Sequence, residues 1–300
     1  MTSAQLLTQV MLPIMLALMM FAMGLSLSVL DFKRIAKYPK AVFSGILMQL
    51  LLLPAIAWGI LLFLGLWMAI PPLVALGILI LAACPGGATS NVISHLAGGE
   101  GALSISMTAF VSLLIPFIIP VSLAYQFSWL GGEAINVQLP IVKTIMQLLL
   151  VTVIPVIIAM AIRHRWSAAV IKVEPAFRKG SGLLFLILVL ALMIAQWEKI
   201  QQLGWQVAGL CLALCLTAML ASYLIAKLLG FDGRTKKTLS IEVGIQNAGT
   251  GIFIAAVLMN QPELALIPLT YGLVMNIPAF VLIGLNYSQK KQAVAFQNVS

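Results

Sequence analysis

Charge is scarce in this chain. Asp, Glu, Lys and Arg make up 8% of its 300 residues, hydrophobic residues make up 62%, and the mean hydropathy is +1.11. A water-soluble domain of this length needs far more polar surface, so that class is excluded. The three cysteines, Cys84, Cys211 and Cys215, all lie in apolar stretches. They offer neither a disulfide framework nor zinc-ligand spacing, and a packing role follows. Only two histidines occur, His95 and His164, and no nucleophile–base pair is visible around either. Metal box, phosphate-binding glycine loop and heptad repeat are all missing, and strand-like alternation is absent, which argues against a β-barrel. A cleavable signal peptide is not evident either. The first apolar run lacks a basic flank and ends in Ser and Asp without a small-residue cleavage site.

What the chain has is long apolar runs. Nine hydrophobic segments fall at roughly 6–28, 41–65, 73–95, 101–127, 139–162, 181–197, 206–229, 238–259 and 264–287. Each is about the twenty residues that cross a hydrocarbon core, and backbone hydrogen bonding in lipid makes them helices. The expected fold is an all-α polytopic membrane protein with nine transmembrane helices. Its net charge of +9 does not point to nucleic acid, because the basic residues sit in short loops between apolar runs. Fifteen of the seventeen, including Lys33, Arg34, Arg163, Arg165, Arg234 and Lys237, fall on one side, and only Lys143 and Lys199 on the other. By the positive-inside rule those loops and the C-terminal tail (288–300) are cytoplasmic and the N-terminus is outside.

Two segments are not simple helices. The third carries Pro85, Gly86 and Gly87 in CPGG, and the eighth carries Gly244 and Gly249 in EVGIQNAGTG. Mid-membrane Pro and Gly break helices and free backbone groups. Five spans separate the two segments, so they run in opposite directions. This is the requirement of an inverted repeat, in which paired interruptions mark a midplane binding site. The first repeat (1–130) would hold four helices, lacking its first, and the second (135–290) would hold five.

Of eight acidic residues, seven lie in loops or at span ends, and only Glu242 sits inside a span. No Lys or Arg lies in a span core to pair with it, so its natural partner is a bound cation or a proton. Ser90, Asn91, Gln246, Asn247, Ser104, Thr108, Gln49 and Asn276 are polar residues within spans and form a candidate shell of oxygen donors. Ser104 and Thr108, four apart, share a helix face.

The stretches CPGGATSNVISHLAGGEGALSISMTAFVSLLIPFIIP (84–120), TLSIEVGIQNAGTGIFIAA (238–256) and MQLLLLPAIAW (48–58) resemble the bile acid:sodium symporter family. The resemblance implies core and panel domains, two discontinuous crossing helices in the core, two Na⁺ ions near the crossing and an organic anion beside it. By motif position, one sodium site would use Ser90, Asn91, Ser104, Thr108 and Glu242. The other would use Gln49, Glu242, Gln246 and the backbone carbonyls of Val243 and Ile245. Ala88, Thr89, Asn91, Asn247 and Asn276 match positions near the family's substrate, although Ala88 and Thr89 stand in the reverse of the common bacterial order. The implied function is sodium-coupled symport of an organic anion, bile-acid-like or a small carboxylate such as pantoate or pyruvate, across the inner membrane and without an organic cofactor. The anion would meet helix N-termini created by the breaks. A proton-coupled carrier using Glu242 is the alternative. An intramembrane enzyme using Cys84 or His95, or a receptor that does not transport, are remote ones.

Overall fold

The computed structural model describes residues 6–130 and 140–297. The junction expected between the two halves, at 130–135, falls largely outside the described residues, as do 298–300 of the expected tail. All regular structure among the described residues is helical. Helices α1 (Leu7–Ser26), α2 (Pro39–Gly65), α5 (Gly101–Trp129), α6 (Ile141–Arg165), α7 (Ser167–Ala195) and α8 (Trp197–Leu228) are each long and apolar enough to cross a membrane. So is the continuous pair α11 (Leu266–Val274) and α12 (Asn276–Gln297), over Leu266–Gln289. The protein is therefore an integral membrane protein with seven such helices among the described residues.

The third and eighth expected segments are each two half-helices. The third divides into α3 (Pro72–Ala83) and α4 (Ala88–Leu96). The eighth divides into α9 (Gly233–Gly244) and α10 (Ala248–Leu258). The first break is extended backbone through Cys84 to Gly87, and the second lies at Ile245–Asn247. Gly244 thus ends a half-helix, whereas Gly249 lies inside α10 rather than at the break. Its missing side chain instead makes room for Phe185, whose ring would stand 2.8 Å from a Cβ there.

Other prolines leave their helices intact. A widened π-type turn, at Leu7–Met11, Met48–Leu52 and Leu149–Val153, lies directly ahead of Pro13, Pro54 and Pro155. A proline ring lacks an N–H and clashes with the carbonyl four residues back, and the wider turn relieves the clash. Two expected boundaries move. The helix expected from 181 begins at Ser167, with Glu174 and Arg178 paired one turn apart at 3.3 Å. The helix expected from 206 begins at Trp197 and bends at Gly204, whose φ of 71° is left-handed. Lys199, one of the two basic residues on the minority side, pairs with Glu263 at 2.5 Å.

Helices α1, α6 and α7 pack together. Helices α2, α5, α8 and α11 surround the four half-helices, with α8 against α9 and α11 against both α3 and α10. Asp232 caps α9: its carboxylate accepts the Thr235 backbone N–H at 3.2 Å. Hydrogen bonding from Thr235 holds this carboxyl below its usual pKa. The folded form therefore gains stability above the ordinary aspartate range and loses it as pH falls through the lowered value. Asp232→Ala is expected to cost about 1 kcal/mol, the usual scale of a lost N-cap, read as a lower melting temperature in detergent at neutral pH.

Candidate functional site: a buried carboxylate at the crossing of two broken helices

The two breaks meet. Gly86 and Gln246 form an isolated antiparallel bridge, and the Asn247 N–H donates to the Pro85 carbonyl at 2.7 Å. Each break thus satisfies part of the other's freed backbone. The approach is close at Gly86. A Cβ there would lie 2.9 Å from both Gln49 Nε2 and Glu242 Oε2.

Glu242, in the last turn of α9, is fully buried. Three hydroxyls surround its carboxylate. Ser90 of α4 meets Oε1 at 2.9 Å, Thr108 of α5 meets Oε2 at 3.2 Å, and Ser104 of α5 also meets Oε1. Asn91 joins the same cluster, its Oδ1 lying 2.7 Å from the Ser104 hydroxyl and 3.0 Å from that of Thr108. All five residues expected at the first cation site are therefore in one cluster, drawn from α4, α5 and α9. No Lys, Arg or His contacts the carboxylate among the described residues.

The second expected group lies beside it. Gln49 of α2 donates its amide to the Glu242 main-chain carbonyl at 2.8 Å, and Gln246 donates to the Val243 carbonyl. The side-chain oxygens of both glutamines, Oε1, are buried without a hydrogen-bond partner among the described residues. Unsatisfied buried oxygens are rare and demand an explanation. A donor set of neutral amide oxygens, hydroxyls, carbonyls and one carboxylate suits a hard monovalent cation, so these residues fit sodium.

Two residues here escaped the sequence reading. The Tyr271 hydroxyl of α11 donates to the Gly244 carbonyl at 2.6 Å, and Cys215 of α8 reaches the same carbonyl at 3.3 Å. Both are fully buried. A tyrosine inside an apolar run was the available signal, since its hydroxyl must find a partner in lipid.

A cavity of about 230 Å³ adjoins the crossing between α1, α7, α10 and α11. Ala88, Thr89, Asn247 and Asn276 line it, as does Gln246, and Met19 and Phe185 supply apolar wall. Asn91 does not line it and belongs to the carboxylate cluster alone. Asn247 Oδ1 caps α10 by accepting the Thr250 N–H at 3.1 Å, leaving its NH₂ as the remaining polar group. Asn276 turns its NH₂ back onto the Gly272 carbonyl at 2.7 Å. Cys84, offered for an enzyme reading, is buried and bonds only the Ile80 carbonyl, while His95 is exposed on α4.

Comparison with known proteins narrows these chemistries. Residues 13–203 match the Sodium Bile acid symporter family. The chain belongs to that family. It is 29% identical to the uncharacterized sodium-dependent transporter YocS of Bacillus subtilis, over 81% of this chain and 72% of that one. It is 29% identical to the ileal sodium/bile acid cotransporter of Homo sapiens, over 93% of this chain and 79% of that one. It is 28% identical to the probable sodium/metabolite cotransporter BASS1, chloroplastic, of Arabidopsis thaliana, over 82% of this chain and 59% of that longer protein. These relatives are named as sodium-dependent transporters or sodium cotransporters, consistent with a transporter family and not an enzyme.

The crossing supplies a direct test of how tightly the site is drawn. Gly86→Ala forces a methyl group against Gln49 and Glu242 and is expected to lower stability by about 1–3 kcal/mol, the cost of overpacking. Gly59→Ala, where a Cβ meets nothing within 4 Å and alanine is the better helix former, is expected to leave the melting temperature unchanged or slightly raised in the same assay.

Proposed function

We propose that this family member is a secondary active transporter that carries a small organic anion with sodium across the inner membrane by alternating access. One observation carries the reading. The hydroxyls of Ser90, Ser104 and Thr108 each make two close oxygen contacts, with Glu242, Asn91 and the Gly87 carbonyl as the other partners. Each hydroxyl has one proton to donate. Six contacts therefore share three protons, and the surplus oxygens repel one another unless a cation or a further proton lies among them. A second cation at Gln49, Gln246 and the carbonyls of Val243 and Ile245 would satisfy the two orphan amide oxygens. Two Na⁺ with a monoanion move one net positive charge inward, which a membrane potential favours by about 2.3 kcal/mol per 100 mV.

The substrate reading rests on the cavity. Its volume, about 230 Å³, is below the roughly 300–1,000 Å³ of sites for drug-sized ligands. A small carboxylate such as pantoate or pyruvate suits it better than a steroid. No Lys, Arg or His lines it. The carboxylate would instead meet the N-terminal ends of α4 and α10 at Thr89 and Asn247, whose partial positive charge favours an anion, while Met19 and Phe185 cover its apolar body.

The half-helix pairs α3–α4 and α9–α10 would count as two further crossings, giving nine, arranged as inverted repeats of four and five helices. In that arrangement α1, α6 and α7 are the panel and the remaining helices the core. By the positive-inside rule the α1–α2 loop and the C-terminus would be cytoplasmic and the N-terminus outside.

Ligands that bind only the folded protein stabilise it by mass action, about 2.7 kcal/mol at a hundredfold excess over the dissociation constant. The melting temperature of the detergent-purified protein is therefore expected to rise in NaCl relative to choline chloride at equal ionic strength. Glu242→Gln is expected to abolish the rise and to cut sodium-driven uptake about tenfold or more, the scale of about 1.5–3 kcal/mol for one charged contact. Sodium-driven uptake retained in that variant would end the assignment. One competing reading is a proton on Glu242 in place of the cation, and a proton-coupled carrier. Uptake that follows pH and ignores Na⁺ would select it.

A further inference from the structure

A second cavity, of about 410 Å³, opens on the basic edge of the molecule, where α1 ends, the short helix Val29–Lys33 begins and α6 gives way to α7. It shares no residue with the crossing or with the cavity beside it. Its lining has two halves. Lys33, Arg163 and His164 present nitrogen donors, and Val29 and Leu30 form part of an apolar wall.

Neither half is explained by the protein's own packing. Val29 and Leu30 are 55% and 62% exposed, two adjacent large apolar side chains beside a lysine. Arg163 spends one N–H on the Leu25 carbonyl at the end of α1, at 2.5 Å. That bond fixes the guanidinium at the cavity, with four of its five donors remaining. No carboxylate lines the cavity. The nearest in sequence, Asp31, is buried and already committed, accepting Ser28 N–H at 2.8 Å, Ser28 Oγ at 2.7 Å and Arg34 Nη1 at 2.7 Å. The cavity is thus a cationic pocket with a greasy exit, at the level where two membrane-spanning helices end.

A soluble anion would satisfy the nitrogens and leave the apolar wall bare. An amphiphile with a negative head satisfies both. We propose that this cavity holds the phosphate headgroup of an anionic phospholipid, with Lys33, Arg163 and His164 on the phosphodiester and the acyl chains passing over Val29 and Leu30 into the bilayer. Basic pockets between membrane helices take anionic lipids in this way. A lipid seated here bridges the ends of α1 and α6. The inference does not depend on the sodium site or on transport.

The test uses the full-length protein in neutral detergent, with native mass spectrometry and thermal melting. Phosphatidylglycerol and phosphatidylcholine with the same acyl chains are compared, with glycerol 3-phosphate as soluble competitor. Phosphatidylglycerol is expected to be retained preferentially and to raise the melting temperature. The double variant Lys33→Gln, His164→Gln leaves the Arg163 bond to Leu25 in place and changes two exposed side chains. It is expected to reduce phosphatidylglycerol retention about fivefold or more, while the sodium-dependent melting shift stays as in the parent. Equal retention of the two lipids, or unchanged retention in the variant, overturns the proposal. Full displacement by glycerol 3-phosphate overturns it in favour of a soluble phosphate ligand.

Discussion

A carboxylate held out of water without a basic partner is the constraint around which this protein is arranged. Burial of an uncompensated charge costs far more than one or two hydrogen bonds recover. Glu242 is surrounded accordingly: Ser90 comes from α4, Ser104 and Thr108 from α5, and Gln49 of α2 secures its main chain. Three elements therefore converge on one residue of α9. Their hydroxyls soften the charge but lack the protons to satisfy every oxygen in the cluster, so the packing of the core depends on what else neutralises Glu242.

The convergence is possible only because two helices stop there. Proline alone does not stop them: Pro116 and Pro120 lie inside α5, and Pro54 and Pro155 follow widened turns within longer helices. At the first break proline is followed by two glycines, and the backbone at Gly86 comes within reach of Glu242 and Gln49. The Pro85 carbonyl then receives the Asn247 N–H, and Gly86 pairs with Gln246. On the basic side the same half-helices are joined again, where the Thr238 and Ser94 hydroxyls lie 3.0 Å apart and the Glu100 N–H donates to Thr238 at 2.7 Å. Tyr271 and Cys215 fix the end of α9 from the other side through Gly244. The half-helices are thereby stapled at the crossing and at one edge.

Much of this was legible in the residues. Apolar runs of twenty residues have one outcome in lipid, so the seven long helices could be read from length alone. Glu242 was conspicuous as the single acidic residue inside a span, and its serine, threonine and amide companions were conspicuous for the same reason. Other features were hidden because they depend on contacts between distant segments. Gly249 looked like a breaker, yet its role is room for Phe185 of α7. Tyr271 looked like one more aromatic in an apolar run until its hydroxyl met Gly244. Asn91 was counted for both ligands, and only the arrangement of α4 against α5 shows its oxygen committed to Ser104 and Thr108. Helix starts in the polar flanks, as at Ser167, could not be read from hydropathy because they lie beyond the apolar run.

In the proposed reading, the same geometry gives a physical reason for coupling. Glu242 touches Ser90, in the first turn of α4, so its negative charge lies in the positive field of that helix end. A substrate carboxylate at Thr89 would compete for the same field and be repelled by Glu242. Coulomb repulsion between two anions a few ångströms apart is strong where water is excluded. A cation among Glu242, Asn91 and the hydroxyls cancels that repulsion and returns the helix end to the substrate. Each ligand then raises the affinity for the other, as linkage requires, and neither needs a basic side chain in the cavity. The scarcity of charge noted in the sequence becomes a requirement: a lysine or arginine in the span core would neutralise Glu242 permanently and leave sodium with nothing to do.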